Sequence, residues 1–305
     1  MKEHRSVMVM GTIAEVTIYG EDEGKTAEAM KKVFTVFDDV DDSMSVYKKE
    51  SELSLLNAAA YESPVRVSRG MMELIEKSIA FSRMTDGAFD VTVGPLMEIW
   101  GFISARKDLP GDEAVRSALE KVGCKKIVID KENQTVGFTV PGMWIDLGGI
   151  AKGYAVDLAV DELRKEGIEN ALVNLGGNIY ALGSPPGESA WKVGIRDPLK
   201  AGNVLKTLRL KNRAAATSGS YERFVRIGEK SYSHIMDPRT GLPAAGVLSV
   251  TVTADTAIET DALSTAFFVL GYARSKKLIG RLHNTEAFFV LPGSDDEVVF
   301  IRIKG

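Results

Sequence analysis

Asp261 and Thr265 stand four residues apart in TDALSTAFFVLG, with Ser264 beside them, and all three carry side-chain oxygen among Ala, Leu, Phe and Val. Residues three and four apart share one face of a helix, so this spacing sets the Asp261 carboxylate alongside the Thr265 hydroxyl. A polar stripe inside an apolar helix requires partners. A backbone amide or an arginine would satisfy it as structure. A hard cation such as Mg²⁺, which takes oxygen ligands and commonly shares phosphate oxygens with a substrate, would satisfy it as chemistry. Taken alone, the segment favours the structural partner.

Two further clusters carry chemically useful groups. In IDLGGIAKGYAVD a Gly-Gly pair precedes a helical pattern. Such a turn opens main-chain N–H groups to an anion at the positive end of a helix, and Lys152 adds charge there. The alternative is a tight turn with glycine for packing. Asp146, just before the turn, is a candidate for hydrogen bonding to a ribose or base edge, or for a helix cap. Neither a phosphate-binding G-x-x-x-x-G-K-[ST] loop nor a G-x-G-x-x-G fingerprint is present. In YSHIMDPRTGLP, Pro238 and Gly241 shape a turn with His234 and Asp237 at its mouth. His4 and His283 have no such context, which makes His234 the candidate for a general base or a hydrogen-bond donor to a ligand.

The elements that must hold these clusters follow from periodicity. Ser6 to Tyr19 reads as a strand. A helix around Lys25 to Asp41 has Met30, Val33, Phe34 and Phe37 as its apolar stripe, and a second over Gly70 to Arg83 turns Met71, Leu74, Ile75 and Ile79 inward. TDGAFDVTVGPLMEIWGF reads as a structured loop. A short helix near Asp112 to Lys121 precedes strands in KKIVID and TVGFTV joined at KENQ. MWIDLGGIAKGYAVDLAVDELRKEG reads as strand, Gly-Gly turn and helix, and ENALVNLGGNIYALG as strand, Gly-Gly, strand. Further strands are expected in WKVGIRD, LKTLRLK, ERFVRIGEK, GVLSVTVTA, EAFFVLP and VVFIRIK. Thr256 and Glu259 form a capping box that starts a helix near Ala257. The expected class is α+β, with mixed or antiparallel sheets flanked by helices, and residues 1–305 forming a single compact unit, with two lobes on one core as its variant.

Composition narrows the partners. A chain of 305 residues, 45% hydrophobic and 26% charged, is expected to be globular and able to bury a large core. With 38 Lys and Arg against 42 Asp and Glu, the net charge of -4 gives no reason to expect nucleic acid. No apolar run reaches the roughly twenty residues of a membrane span. The single cysteine, Cys124, excludes a disulfide framework and a cysteine-rich metal site, and reads as a small residue at the start of a strand. The chain enters its first strand with no leader. The expected location is the periplasmic face of the cell envelope, with the leader absent from this chain; the cytoplasm is the alternative.

The segments MGT, MSVYKKESELSLLN, TDGAFDVTVGPL, IDLGGIAKGYAVD, NLGGNIYALG, ATSGSYERF, SHIMDPRTGLP and TDALSTAFFVLG occur in this order. Together they resemble the ApbE family, the FAD:protein FMN transferases, from about Met10 to about Gly271. The resemblance implies an ApbE-like fold and Mg²⁺ between protein oxygens and the pyrophosphate of FAD. The metal positions fall on Asp261, Thr265 and the carbonyl of Gly149, where many relatives have Ala. FAD-contacting positions fall on Met10, Ala88, Phe89, Asp90, Asp146, Lys152 and Ile235, with Tyr47 as a ring that packs on flavin or adenine. The implied reaction is attack by a Ser or Thr hydroxyl of an acceptor flavoprotein subunit on FAD, leaving FMN attached and releasing AMP. His234 is the candidate base, and Asp261 takes part in catalysis through the metal. Water in place of the hydroxyl would give an FAD pyrophosphatase, and an incomplete metal site a non-catalytic flavin-binding protein.

Overall fold

The alternation read as one strand over Ser6 to Tyr19 folds as a hairpin, β1 (Lys2–Val9) and β2 (Thr12–Tyr19). Met10 and Gly11 reverse the chain with φ of 52° and 68°, the paired positive values that a two-residue turn between twisted strands demands. The computed structural model describes residues 1–305 apart from Ala105, Lys107, Ala201, Glu229, Asp295 and Asp296. Helix α1 (Glu23–Met44) buries Met30, Val33, Phe34 and Phe37 as its period requires. Helix α2 (Glu52–Ala59), which sequence reasoning missed, starts where the Ser51 side chain accepts from Ser54 N. The strand β3 (Val65–Arg66), α3 (Arg69–Met84), α4 (Gly94–Ile99), α5 (Asp112–Leu119), β4 (Ile127–Asp130) and β5 (Thr135–Phe138) follow. Helix α4 lies inside the stretch read as a loop, and Cys124 lies in a 3₁₀ turn over Cys124–Lys126 rather than in a strand.

Next come α6 (Ala151–Lys165), β6 (Asn170–Leu175), β7 (Asn178–Leu182), β8 (Trp191–Arg196), β9 (Val204–Leu210) and β10 (Arg213–Gly219). The chain continues through β11 (Phe224–Ile227), β12 (Lys230–Ser233), β13 (Met236–Asp237), β14 (Leu242–Pro243), β15 (Ser249–Ala254), α7 (Ala257–Ile279), β16 (Glu286–Pro292) and β17 (Val298–Lys304). Eight strands form one sheet in the order β1-β2-β6-β7-β10-β15-β16-β17, and each pairing is antiparallel. Helices α1, α6 and α7 pack together on one face. The β8–β9 hairpin covers the other, setting Trp191, Ile195 and Leu208 on Ala181, Ala215 and Phe288. All six residues of β15 are buried in consequence, which removes the alternation a one-sided strand would show.

The stretch MWID is not a strand. The amide of Asn57 takes the place of a neighbouring strand, donating from Nδ2 to Ile145 O at 2.9 Å and accepting from Ile145 N at 2.8 Å. Asp146 N donates to Val91 O at 2.7 Å. An extended segment bonded by a side chain and a loop shows the same hydrophobic pattern as one bonded by a strand. The two-lobe variant reduces to a satellite core under α4 and α5, built from Leu96, Met97, Trp100, Phe102, Ala118 and Val122. Among the described residues no helix is long and apolar enough to cross a membrane.

Candidate functional site

Helix α7 starts at its capping box: Thr256 Oγ1 donates to Glu259 Oε2 at 2.9 Å and accepts from Glu259 N at 3.4 Å. One turn further on, Asp261 Oδ2 accepts from Gly153 N at 2.8 Å, across 108 residues of sequence. Gly153 is the third residue of α6, whose own N-cap, Ile150, offers no side-chain acceptor. A carboxylate on α7 therefore caps α6. The Asn178 side chain lies beside the Asp261 carboxylate. Burial raises the pKa of Asp261, while Lys152, Gly153 and Asn178 oppose the rise. The rest of the polar stripe has protein partners: Ser264 Oγ donates to Asp261 O at 3.0 Å, and Ser218 Oγ lies 2.9 Å from Ser264 Oγ and 3.3 Å from Thr265 Oγ1.

The two Gly-Gly pairs have different physical reasons. Gly176 and Gly177 join β6 to β7 with φ of 59° and 90°, so they supply backbone freedom. Gly149 supplies space, because a Cβ there would stand 3.3 Å from the Phe89 ring and 3.6 Å from Thr265 Oγ1. The turn into α6 thus abuts the Thr265 hydroxyl. Asp146 braces this turn rather than capping the helix, its Oδ1 accepting from Gly148 N at 2.8 Å. Burial pushes the Asp146 carboxyl upward, while the Gly148 amide and the charges of Arg223 and Lys152 pull it down. Lys152 Nζ donates to Gly148 O at 3.2 Å.

His234 follows β12, with Nδ1 3.0 Å from the main-chain oxygen of Arg223. A carbonyl only accepts, so Nδ1 carries the hydrogen and Nε2 of the neutral ring keeps its lone pair. Burial lowers the imidazole pKa to about 4; the Arg223 carbonyl opposes this, and the charges of Arg223 and Lys152 add to it. Arg223 Nη2 donates to the Tyr47 hydroxyl at 3.2 Å, and its Cζ lies 5.9 Å from the Tyr47 ring centroid. Asp237, placed by sequence at the same turn mouth, is engaged through both oxygens by Arg239 at 2.8 Å.

Six separate segments bring the candidate residues to one cavity of about 1190 Å³. Met10 comes from the β1–β2 turn, Tyr47 from the end of α1, and Ala88, Phe89 and Asp90 from the loop after α3. Asp146, Gly149 and Lys152 come from the turn into α6, His234 and Ile235 from the segment after β12, and Asp261 and Thr265 from α7. The Asp90 carboxylate is engaged within the protein: it accepts from Ser82 Oγ, Thr92 N, Thr92 Oγ1, Cys124 N and Cys124 Sγ at 2.6–3.2 Å. Sequence reasoning quoted NLGGNIYALG and ATSGSYERF without singling out Asn178, Ser218 or Arg223, which also line the cavity.

The donors fit a hard cation. Among the described residues no group of three or more His, Cys, Asp or Glu side chains is placed to hold a metal ion. The buried Asp261 carboxylate and the Thr265 hydroxyl line the cavity beside Gly149, and oxygens of this kind suit Mg²⁺, which completes its shell with substrate phosphates and water. Next to Asp261, Asn178 Oδ1 is buried without a hydrogen-bond partner, an orphaned acceptor of the sort that marks a site whose ligand is part of its design.

Comparison with known proteins finds relatives along nearly the whole chain. The family model described as "ApbE family" matches residues 10–289. A protein of Treponema pallidum named FAD:protein FMN transferase is 35% identical over 304 residues, covering 94% of this chain and 84% of its own length. The protein of the same name from Escherichia coli K12 is 33% identical, covering 89% and 79%. Among solved structures, the ApbE protein of Thermotoga maritima superposes with a TM-score of 0.90 at 33% identity, covering 99% of this chain and 97% of that one. The flavin transferase ApbE of Vibrio cholerae gives 0.87 at 32% identity, covering 99% and 96%. With its fold shared from end to end and its sequence matched along nearly all of its length, the chain belongs to the ApbE family.

Proposed function

We propose that this protein transfers the FMN moiety of FAD to a Ser or Thr hydroxyl of an acceptor flavoprotein, with release of AMP. The observation that carries this reading is the meeting, in one cavity, of His234, whose Nδ1 faces the Arg223 carbonyl, with Asp261, Thr265 and Gly149. The names of the relatives support the same chemistry.

Lys152 and Arg223 bring positive charge to the cavity that receives the pyrophosphate. Met10, Phe89 and Ile235 present apolar surface to the ring systems, and the exposed Tyr47 ring stands at the same cavity. Asp261, Thr265 and the Gly149 carbonyl would hold Mg²⁺, which would neutralise charge developing on the phosphates. His234 Nε2 takes the proton of the acceptor hydroxyl as its oxygen bonds to the FMN phosphorus. The phosphorus–oxygen bond to the AMP portion breaks, and AMP leaves with the bonding pair. Asp261 is unsuited to be the base while it serves a cation, because coordination lowers its proton affinity.

The test measures AMP and protein-linked flavin in one reaction containing FAD, Mg²⁺ and an acceptor flavoprotein with an exposed Ser or Thr. AMP release that rises with acceptor, with bound flavin appearing in step, is the expected result. Rapid AMP release that ignores the acceptor, with all flavin recovered as free FMN, would establish water as the nucleophile instead.

A further inference from the structure

The chemistry just described uses Asp261 and leaves out Asp157, a carboxylate on the same pair of helices. Asp157 Oδ1 accepts from Ala257 N at 2.7 Å and Asp157 Oδ2 from Ile258 N at 2.9 Å. These are the first two amides of α7. The Asp261 contact with Gly153 runs the opposite way, from a carboxylate of α7 to an amide of α6. Gly153 and Asp157 are four residues apart on α6, and Ala257 and Asp261 are four apart on α7. Each helix therefore offers an amide and, one turn later, a carboxylate to the other. A Cβ on Gly153 would stand 2.4 Å from Ala257 O and 2.8 Å from Asp261 Cβ, so the backbones touch between the two contacts.

We infer that Asp157 is a positioning residue for the cation site, holding α7 in the rotation and height at which Asp261 and Thr265 meet the Gly149 turn. The inference rests on the reading of Asp261 and Thr265 as cation ligands. Helix α7 already has a cap of its own in Thr256, which serves the Glu259 amide. What Asp157 adds is a fixed relation to α6, the helix that follows directly on Gly149. Two carboxylate oxygens on two successive amides define both an axial position and an angle, which a single hydrogen bond does not. Asp157 touches no residue of the reacting centre, so its effect passes through Ala257 to Asp261.

The experiment titrates Mn²⁺ into wild-type protein, Asp157→Asn and Thr256→Val, with and without FAD, and reads free Mn²⁺ by electron paramagnetic resonance; thermal scans establish folding. Asparagine is nearly isosteric but cannot accept from both amides, so Asp157→Asn is expected to weaken Mn²⁺ binding by about 10–100-fold, as loss of an outer-shell partner does. Thr256→Val loses a cap at the same helix start but no contact with α6, so it lowers the melting temperature and leaves Mn²⁺ affinity unchanged. Wild-type affinity in folded Asp157→Asn, or equal weakening in both variants, overturns the positioning role. Absence of a Mn²⁺ site in the wild type, with FAD present, overturns the cation reading itself. Asp157→Ser, with one short acceptor, replaces Asp157→Asn if that variant does not fold, and is read in the same way.

Discussion

His234 and Arg223 are joined through the main chain, with imidazole Nδ1 3.0 Å from the Arg223 carbonyl oxygen, while the guanidinium of Arg223 reaches across to Tyr47. One residue sets the tautomer of the base with its backbone and lowers that base's proton affinity with its charge.

The first expectation concerns pH. With its pKa held at about 4 rather than 6.5, the folded His234 stays neutral through the range in which an unfolded histidine takes up a proton. The acid limb of kcat/KM is expected near pH 4 for the free protein; a limb at 6.5 would mean that the imidazole is not shifted by its burial. The unfolded chain binds more protons than the folded one between these values, so stability declines as pH falls from 6.5 toward 4. Replacing the base with alanine should slow flavin transfer by roughly 10²–10⁴-fold.

Arg223→Ala separates the two parts of that residue. The main-chain carbonyl remains, so the histidine tautomer and its role as base are kept, and kcat should change little. Loss of the guanidinium removes a charge that lowers the His234 pKa and a counter-charge for phosphate. The acid limb should move upward, and KM for FAD should rise. A pH profile that does not move would mean that the Arg223 charge does not act on the imidazole.

At Asp261 two substitutions should part company. Asp261→Asn keeps an acceptor for Gly153 N, so it should fold with near wild-type stability while losing Mg²⁺-dependent AMP release. Asp261→Ala loses the cap as well, leaving a buried amide without a partner at a cost of about 1–3 kcal/mol. Chemical denaturation alongside AMP assays distinguishes them. Thr265→Ala should show the smaller activity loss of a neutral ligand.

Gly153→Ala tests the helix contact. A methyl group has no room against Ala257 O, and overpacking of this kind costs about 1–3 kcal/mol. Denaturant midpoints should fall, and Mn²⁺ affinity should fall with them, because the helices separate where Asp261 bridges them. Unchanged stability would mean that α7 moves aside freely.

Much of the site was legible wherever its logic is local. The capping box at Thr256 and Glu259 placed the start of α7, and i,i+4 spacing paired Asp261 with Thr265. The ordered motifs located His234, Gly149 and Lys152 before any geometry was known. The missing parts depend on contacts between remote residues. Asp157 is an ordinary acidic residue on a helix until Ala257, 100 residues later, presents its amide. Asn57 carries no sign that its side chain replaces a strand beside Ile145. Nothing in TDGAFDV shows that the Asp90 carboxylate is surrounded by five donors.

The paired contacts between α6 and α7 also set an order of assembly. Strands β6 to β15 lie between the two helices in sequence, and closing so long a segment is among the slower events available to a folding chain. During synthesis α6 emerges without a cap, and the carboxylate that will cap it is still untranslated. A nascent chain that ends before α7 has the earlier cavity-lining segments but lacks Asp261 and Thr265. On the proposed function, cleavage of FAD would await the docking of α7 on α6. In pulsed hydrogen exchange during refolding, the amides of Gly153, Ala257 and Ile258 should gain protection together in the final phase, and early protection of all three would contradict this order.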